Sequence, residues 1–491
     1  VSTTAATGFC RVTVVAPDSR IDVALPEDIA VADVYPEILR LTGQTQAPGT
    51  PTGYHLVRRD GTVLDGARTL VAQRVLDGEV LSLRPFAQSL PPAVYDDVSD
   101  AVASAVTRDR HLWSDDLLRG AGLVGGVLLL VLMGFVLWFA DPVRHDMHSL
   151  PGVVAGAMGV LLTAFAGVRA RVYADRATAI ALGLGALPLL LIAGSGIVAP
   201  DAGHGPGRLQ FLLGCVTVLV ASVTLVALTP SGDAPFVAAT FLATVGTLAT
   251  FLAIVAEASA TETAAVCAPV AVGLVAFLPG LSARFARLPI GYASPRSAAD
   301  DDFHAEPGRA AEEAQAVDGE RIALQARRGH EMLLGLVGGC AAVVVGSAAV
   351  LGFAGNVWGQ LLALAAGLAM LLRARLFRYT SQVTCVLVAG IAAIALLILG
   401  LSLNPPADLV KDLLIHGDRG GLDIRTIWLT ATVAAGAALV TAIGLIIPRK
   451  GLSPFWGRLL DLTEGFVLLS LVPLCLAVLD VFMAARSLTS K

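Results

Sequence analysis

The sequence predicts an all-α polytopic membrane protein of about eleven transmembrane helices, preceded by a small α+β domain. Three observations carry the prediction. The 491 residues have a mean hydropathy of +0.75 and only 15% charged side chains, whereas a soluble chain carries about 25%. From residue 119 onward, apolar runs of about 17–25 residues recur, each long enough to cross roughly 30 Å of hydrocarbon. Before them lies a polar stretch in which apolar residues first alternate and then fall at helical spacing.

Residues 1–86 form this polar head. Residues 10–16 and 21–25 alternate as strands around the turn Pro17-Asp18-Ser19-Arg20, the pattern of a β-hairpin. Val31, Val34, Ile38 and Leu41 then recur at helical spacing, with Gly43 as the stop. Residues 54–58 and 78–84 read as two more strands, with Asp60-Gly61 as a turn between them. The ββαββ order, with Leu64-Asp65-Gly66 and Leu76-Asp77-Gly78-Glu79-Val80-Leu81 ahead of Pro85, resembles the ubiquitin-like β-grasp fold. The segment runs on through Arg84-Pro85-Phe86 and has no free diglycine, so the resemblance implies a docking module and not a conjugated modifier. Residues 1–9 offer neither the basic flank nor the apolar core of a secretory signal, and the head is expected in the cytosol.

Residues 87–118 are expected to be a helical linker. Val94, Val98, Val102 and Val106 recur every four residues while Asp96, Asp97, Asp100 and Asp109 fall elsewhere, which makes an amphipathic helix. Its acidic polar face suits packing on protein better than lying on a membrane.

The membrane domain, residues 119–491, contains eleven apolar segments, near 119–140, 150–168, 177–198, 209–229, 234–256, 263–281, 332–354, 357–372, 380–403, 426–447 and 462–484. Segments seven and eight are divided only by a tight turn at Gly355-Asn356. With the head inside, the retained loops hold nineteen basic residues and the outer side seven: Arg144, Arg208, Lys411, Arg419, Arg425, Arg486 and Lys491. This positive-inside bias predicts a cytosolic N-terminus and, from the odd count, a periplasmic C-terminus. Trp113, Trp138, Trp358, Trp428 and Trp456 all fall at or just outside segment ends, as aromatic anchors do.

The longest inner loop, residues 282–331, is polar, with a Pro/Asp-rich first half and a helical second half. Its length and charge suit a platform for a cytosolic partner, with Arg284, Arg287, Arg296, Arg309, Arg321, Arg327 and Arg328 as the docking candidates. The outer loop over residues 404–425 is a second candidate surface.

Several functional classes are disfavoured. A net charge of −5 and a pI near 5.9 argue against nucleic acid. Six scattered cysteines have no metal-ligand or redox spacing, so neither zinc, nor a disulfide, nor any other cofactor is expected. None of the three lysines follows a glycine, which removes the phosphate-loop motif, and His330-Glu331 lacks the second histidine of a zinc protease. Gly194-Ser195-Gly196 lacks the flanking glycines of a nucleophile elbow. Asp141, Asp146, His145 and His148 in the first outer loop raise a lipid-linked glycosyltransferase as a minor alternative, but that loop leaves little room for an acceptor platform. A stand-alone small-molecule transporter is the main rival, yet the first ten segments carry no ionisable residue in their cores. Glu464 and Asp480 lie near the two ends of the eleventh, where snorkelling to the interface is the simple expectation.

What remains is helix packing. Gly122 and Gly126, Gly152 and Gly156, and Gly335 and Gly339 each place two glycines one turn apart, a spacing that allows close backbone contact. A ubiquitin-like head, a helical linker, eleven spans, a charged loop after the sixth and no catalytic motif together resemble the EccD family of the bacterial type VII (ESX) secretion machinery. The resemblance implies a non-enzymatic membrane subunit that dimerises around a lipid-lined cavity. It also implies assembly with EccB, EccC and EccE subunits into a roughly six-fold inner-membrane complex, with EccC as the motor ATPase.

Overall fold

The computed structural model describes residues 8–17, 19–43, 53–85, 114–140, 146–200, 205–229, 233–286, 319–450, 453–483 and 486. The side chains of residues 319–322 and 447–450 are excepted. The predicted amphipathic linker helix and Trp113 lie outside these residues. The chain divides into two compact units, Val1–Trp113 and Ser114–Lys491.

In the first unit, β1 (Phe9–Val15) and β2 (Arg20–Pro26) form the expected hairpin, with Cys10 opposite Leu25. Helix α1 (Val31–Leu41) crosses over, and β3 (Tyr54–Arg58) and β4 (Val80–Pro85) complete a mixed sheet of order β2-β1-β4-β3. Strands β1 and β4 run parallel at its centre, with Val14 beside Leu81. This is the β-grasp arrangement. Val12, Val14, Leu81, Leu83 and Leu56 bury one sheet face against Val31, Val34 and Ile38. Leu41, read as part of the helix stripe, is the last residue of the helix and is 44% exposed, unlike the buried Val31, Val34 and Ile38.

The Leu76-Asp77-Gly78-Glu79 motif has a local physical role. Gly78 takes φ +83°, which a side chain would oppose, and its N–H donates to the Arg11 carbonyl at 2.6 Å. The Asp77 carboxylate accepts the Arg11 N–H at 2.6 Å, and Glu79 accepts the Leu76 N–H at 2.9 Å. The loop thereby delivers β4 to the edge of β1. The intervening residues 64–75 carry no alternation, yet Leu64 and Leu70 are buried and Gln73 bonds the Asp65 carbonyl at 2.8 Å.

The second unit is helical. Its helices are α2 (Asp115–Ala140), α3 (Leu150–Arg171), α4 (Arg176–Ser195), α5 (Arg208–Leu228) and α6 (Ala234–Val255). There follow α7 (Ala260–Leu274), α8 (Leu278–Phe285), α9 (Gly319–Phe353), α10 (Val357–Arg373) and α11 (Thr380–Leu403). The last three are α12 (Ala407–His416), α13 (Gly420–Lys450) and α14 (Pro454–Val478). Ten helices among the described residues are long and apolar enough to cross a membrane, and the bent pair α7–α8 brings the number to eleven when it is counted as one span. The sixth predicted segment is this pair, bent by 68° where Pro279 opens α8. The turn at Gly355-Asn356 does separate two spans, because the Asn356 side chain caps α10 by accepting the Trp358 N–H at 2.9 Å. The outer loop over residues 404–425 contains α12, a short helix that spacing alone did not single out.

Helix α9 is the hub, packing on α6, α7, α8, α10 and α11. One core joins α7 and α9–α11 with α14; a second joins α2–α6 around Leu189, Leu225 and Phe236. Helix α13 stands apart. Among the described residues it packs lightly on α12 and meets the end of α11 through Arg425, which donates to the Leu401 carbonyl, and none of its span is buried within the chain.

Candidate functional site

Charge collects at one end of the bundle, the near end, where α2, α4, α6, α9, α11 and α14 begin and α3, α5 and α10 finish. There Arg119 and Arg169 each donate to one oxygen of Asp175, at 2.6 and 2.8 Å. Asp175 also caps α4 by accepting the Thr178 N–H at 3.2 Å. The bonds from Thr178, then the two guanidiniums, hold its carboxyl below the usual carboxylate range. Arg171 donates to the Leu228 and Ala227 carbonyls at 2.9 and 2.6 Å, satisfying the last turn of α5. Arg176 pairs with Glu331 at 3.2 Å and so ties α4 to α9. Asp233, at the start of α6, is buried, and desolvation raises its pKa against the partial relief of Arg328 and Arg176.

A second charge group joins α10 to α14. Arg375 donates to Glu464 at 3.0 Å and lies 3.0 Å from Asp461. Arg373 is only 7% exposed; its Nε lies 4.0 Å from Glu464, and neither Nε nor Nη1 has a hydrogen-bond acceptor. Glu464 therefore does not snorkel alone. It sits about 15 Å along α14 from Pro454 and is matched by two arginines from the facing helix.

The candidate glycines fall into different surroundings. A Cβ at Gly339 would lie 2.6 Å from the Phe241 ring, and one at Gly335 would lie 2.6 Å from the Ala234 carbonyl oxygen, both on α6. At Gly156 it would meet Ala193 of α4 at 3.5 Å, and at Gly152 the backbone of Asp146 and Met147 at 2.5 Å and beyond. Gly122 and Gly126 of α2 face open space in this chain. The tightest crossing was not read from sequence at all. A Cβ at Gly400 would lie 2.2 Å from the Gly352 carbonyl oxygen, where α9 meets α11, and one at Gly390 would lie 2.9 Å from the Gly367 oxygen, where α10 meets α11. These glycines sit singly in Leu-, Ile- and Ala-rich runs, so a search for pairs one turn apart passes over them.

Of the seven loop arginines, Arg284 ends α8, and Arg327 and Arg328 are exposed on the first turns of α9. Arg287, Arg296 and Arg309 lie outside the described residues, as does the Arg321 side chain. In the first outer loop Asp141 and His145 also lie outside them. Asp146 accepts the His148 N–H at 2.9 Å, a turn brace that lowers its pKa. Among the described residues no cluster of His, Cys, Asp and Glu has the geometry to hold a metal.

Toward the opposite, far end, α5, α6, α7 and α9 leave a cavity of about 620 Å³ lined by Phe211, Cys215, Leu242, Gly246, Cys267 and Val343. Arg208 stands at its rim, donating to the Ala253 and Glu257 carbonyls at 3.2 and 3.4 Å. The lining is almost wholly apolar, which suits packing or lipid and offers no reacting group.

Residues 118–488 match the model of the EccD-like transmembrane domain. The chain belongs to the EccD family. Residues 9–83 match a second model, protein YukD of the WXG100 protein secretion system. Over 98% of its length this EccD-family chain is 27% identical to the ESX-4 secretion system protein eccD4 of Mycobacterium tuberculosis, strains CDC 1551 / Oshkosh and ATCC 25618 / H37Rv, covering 98% of that protein. Its fold is similar to protomer 1 of the ESX-3 core complex, with TM-score 0.60 and 17% identity over 97% of this chain and 100% of that one. It is also similar to a chain of the MycP5-free ESX-5 inner membrane complex, State II, with TM-score 0.52 and 22% identity over 88% of this chain and 99% of that one. As an EccD-family protein the chain is a multi-pass inner-membrane structural subunit of type VII secretion and not an enzyme.

Proposed function

We propose that the chain works as a dimerising scaffold that places the export machinery in the membrane, and that a partner ATPase supplies the driving force. On this reading residues 1–86 and the loop over residues 282–331 face the cytosol and dock EccC and EccE, residues 87–118 link the head to the membrane, and EccB joins in a roughly six-fold complex. The seven arginines from Arg284 to Arg328 supply the loop's docking charge, and the C-terminus is periplasmic.

The observation that carries the reading is the distribution of ionisable groups. In the helical unit the described charges gather toward the helix ends, and Glu464, which lies deeper along α14, is paired with Arg375 and sits beside Arg373. No chain of titratable groups therefore crosses the bilayer among the described residues, as a proton-coupled carrier requires. Helix α13, uncovered within one chain, offers area for a second copy or another subunit.

The test is gentle extraction from native membranes followed by native electrophoresis. Migration within a megadalton-scale assembly is expected. Migration near 50.5 kDa as a lone chain that still transports a solute would refute the scaffold and favour a carrier.

A further inference from the structure

The near ends of α2, α3 and α4 enclose an open-mouthed cavity of about 540 Å³. Arg119, Arg169 and Arg176 line it together with a single carboxylate, Asp175. That carboxylate is already spent: one oxygen takes Arg119 and the Thr178 N–H, and the other takes Arg169. Each guanidinium has more donors than these bonds use. Arg119 keeps more than half of its side chain exposed and Arg176 nearly half.

The surroundings indicate what the surplus charge meets. Tyr173 lies under the Arg169 guanidinium, 5.2 Å from its ring centre, and is itself exposed, the placement of an aromatic side chain in the headgroup layer. Leu117, Leu118, Phe165, Val168 and Val172, on the adjoining turns of α2 and α3, are all exposed. Exposed apolar side chains of α2 and α3 therefore lie close to the rim of a basic cavity, with Asp115 and Asp116 exposed on the first turn of α2. Ala174 closes the α3–α4 turn at φ +51°, a conformation that a residue with a Cβ rarely adopts.

We propose that this cavity is a binding site for the phosphate headgroup of an anionic phospholipid, whose acyl chains lie along the exposed faces of α2 and α3. The planar donors of Arg119 and Arg176 take the phosphodiester oxygens, and Arg169, braced by Asp175 and Tyr173, sets the floor. Asp175 and Glu331 offset two of the three guanidiniums and leave one net positive charge, which an anionic headgroup neutralises and a zwitterionic lipid does not. The site needs no second subunit, so its test is independent of the scaffold reading.

The experiment uses the purified full chain in micelles holding equal amounts of phosphatidylglycerol and phosphatidylcholine, with the retained lipid counted by native mass spectrometry. Phosphatidylglycerol is expected to be retained preferentially. Because one arginine near such a surface is worth about a fivefold preference, Arg119→Gln lowers the retention ratio about fivefold and Arg119→Gln with Arg176→Gln about 25-fold. Arg119→Gln alone leaves the Arg169–Asp175 and Arg176–Glu331 pairs in place, so it keeps the fold, and Lys411→Gln on α12 is expected to leave the ratio unchanged. Equal retention of the two lipids by the unaltered chain overturns the proposal. An unchanged ratio in folded Arg119→Gln, or an equal fall in Lys411→Gln, overturns it as well. If inorganic phosphate alone, added to phosphatidylcholine micelles, raises the unfolding temperature of the chain but not of the double variant, the site serves a soluble ion and the lipid assignment fails.

Discussion

Replacing Gly400 by alanine tests whether the bundle is held by backbone contact between α9 and α11. An added Cβ there falls 2.2 Å from the Gly352 carbonyl oxygen and 2.5 Å from the carbonyl carbon, and these backbone atoms cannot rotate away. Ordinary contact begins near 3.4 Å, so the two helices must part by about 1 Å at the crossing, enough to lose a quarter to a half of each dispersion contact formed along it. Leu351 and Leu397, both buried beside the crossing, share that loss. The expected destabilisation is about 2–3 kcal/mol, the upper part of the range for overpacking, against a helix-propensity gain of about 1 kcal/mol for glycine to alanine. Thermal unfolding in detergent at fixed heating rate, followed by reaction of the buried thiols Cys215 and Cys340 with a fluorogenic dye, reads the change. Gly444→Ala on α13, where nothing lies within 4 Å, is the internal control and should be neutral or slightly stabilising. If Gly400→Ala unfolds at the same temperature as Gly444→Ala, the close crossing does not hold the helices together and the packing argument falls.

Three further outcomes are expected. Glu464→Gln leaves Arg373 buried beside a neutral partner and should cost about 3 kcal/mol, measured by thermal unfolding; adding Arg373→Met should recover much of it, and a lone Glu464→Gln with no effect would show that the pair is idle. In the head, burial and then Asp77, Glu27 and Glu79 push the Cys10 thiol pKa up, so the folded state keeps a proton that the unfolded chain loses near pH 8.5. Head stability is therefore full below that pH and declines above it, and alkylation of Cys10 at pH 9 should proceed only through unfolding. Cysteine placed at Ser149 or Asn404 should react with a membrane-impermeant thiol reagent in intact cells while one at Ser297 stays protected; the reverse pattern would invert the proposed topology.

Much of this architecture is legible in the sequence because lipid imposes a single demand, an unbroken apolar run, on every span. The strands of the head are legible for a related reason, since one sheet face is buried and the other is wet, which writes alternation into residues 10–16. Contacts between spans are another matter. Lipid-facing and protein-facing sides are equally apolar, so Gly122 and Gly126 read the same as Gly335 and Gly339 although only the second pair meets a neighbour in this chain. The Glu464–Arg375 pair spans 89 positions, and nothing local announces it. Residues 64–75 escaped because an irregular surface segment that anchors itself through the isolated buried Leu64 and Leu70 has no period to detect.

The length of α9 has a mechanical consequence. Its 35 residues make a rod of about 52 Å, while the hydrocarbon it must cross is about 30 Å thick, so roughly 20 Å of continuous helix stands clear of the apolar layer. The arginines of its first turns, Arg327 and Arg328, ride on that projecting arm. Within the bilayer the same rod is clamped by Gly335 and Gly339 against α6 and by Gly352 against α11, with no helix break between them. A sideways pull on the arm is thus delivered as torque to both halves of the bundle together, with α9 acting as a lever whose fulcrum is the near-end glycine pair.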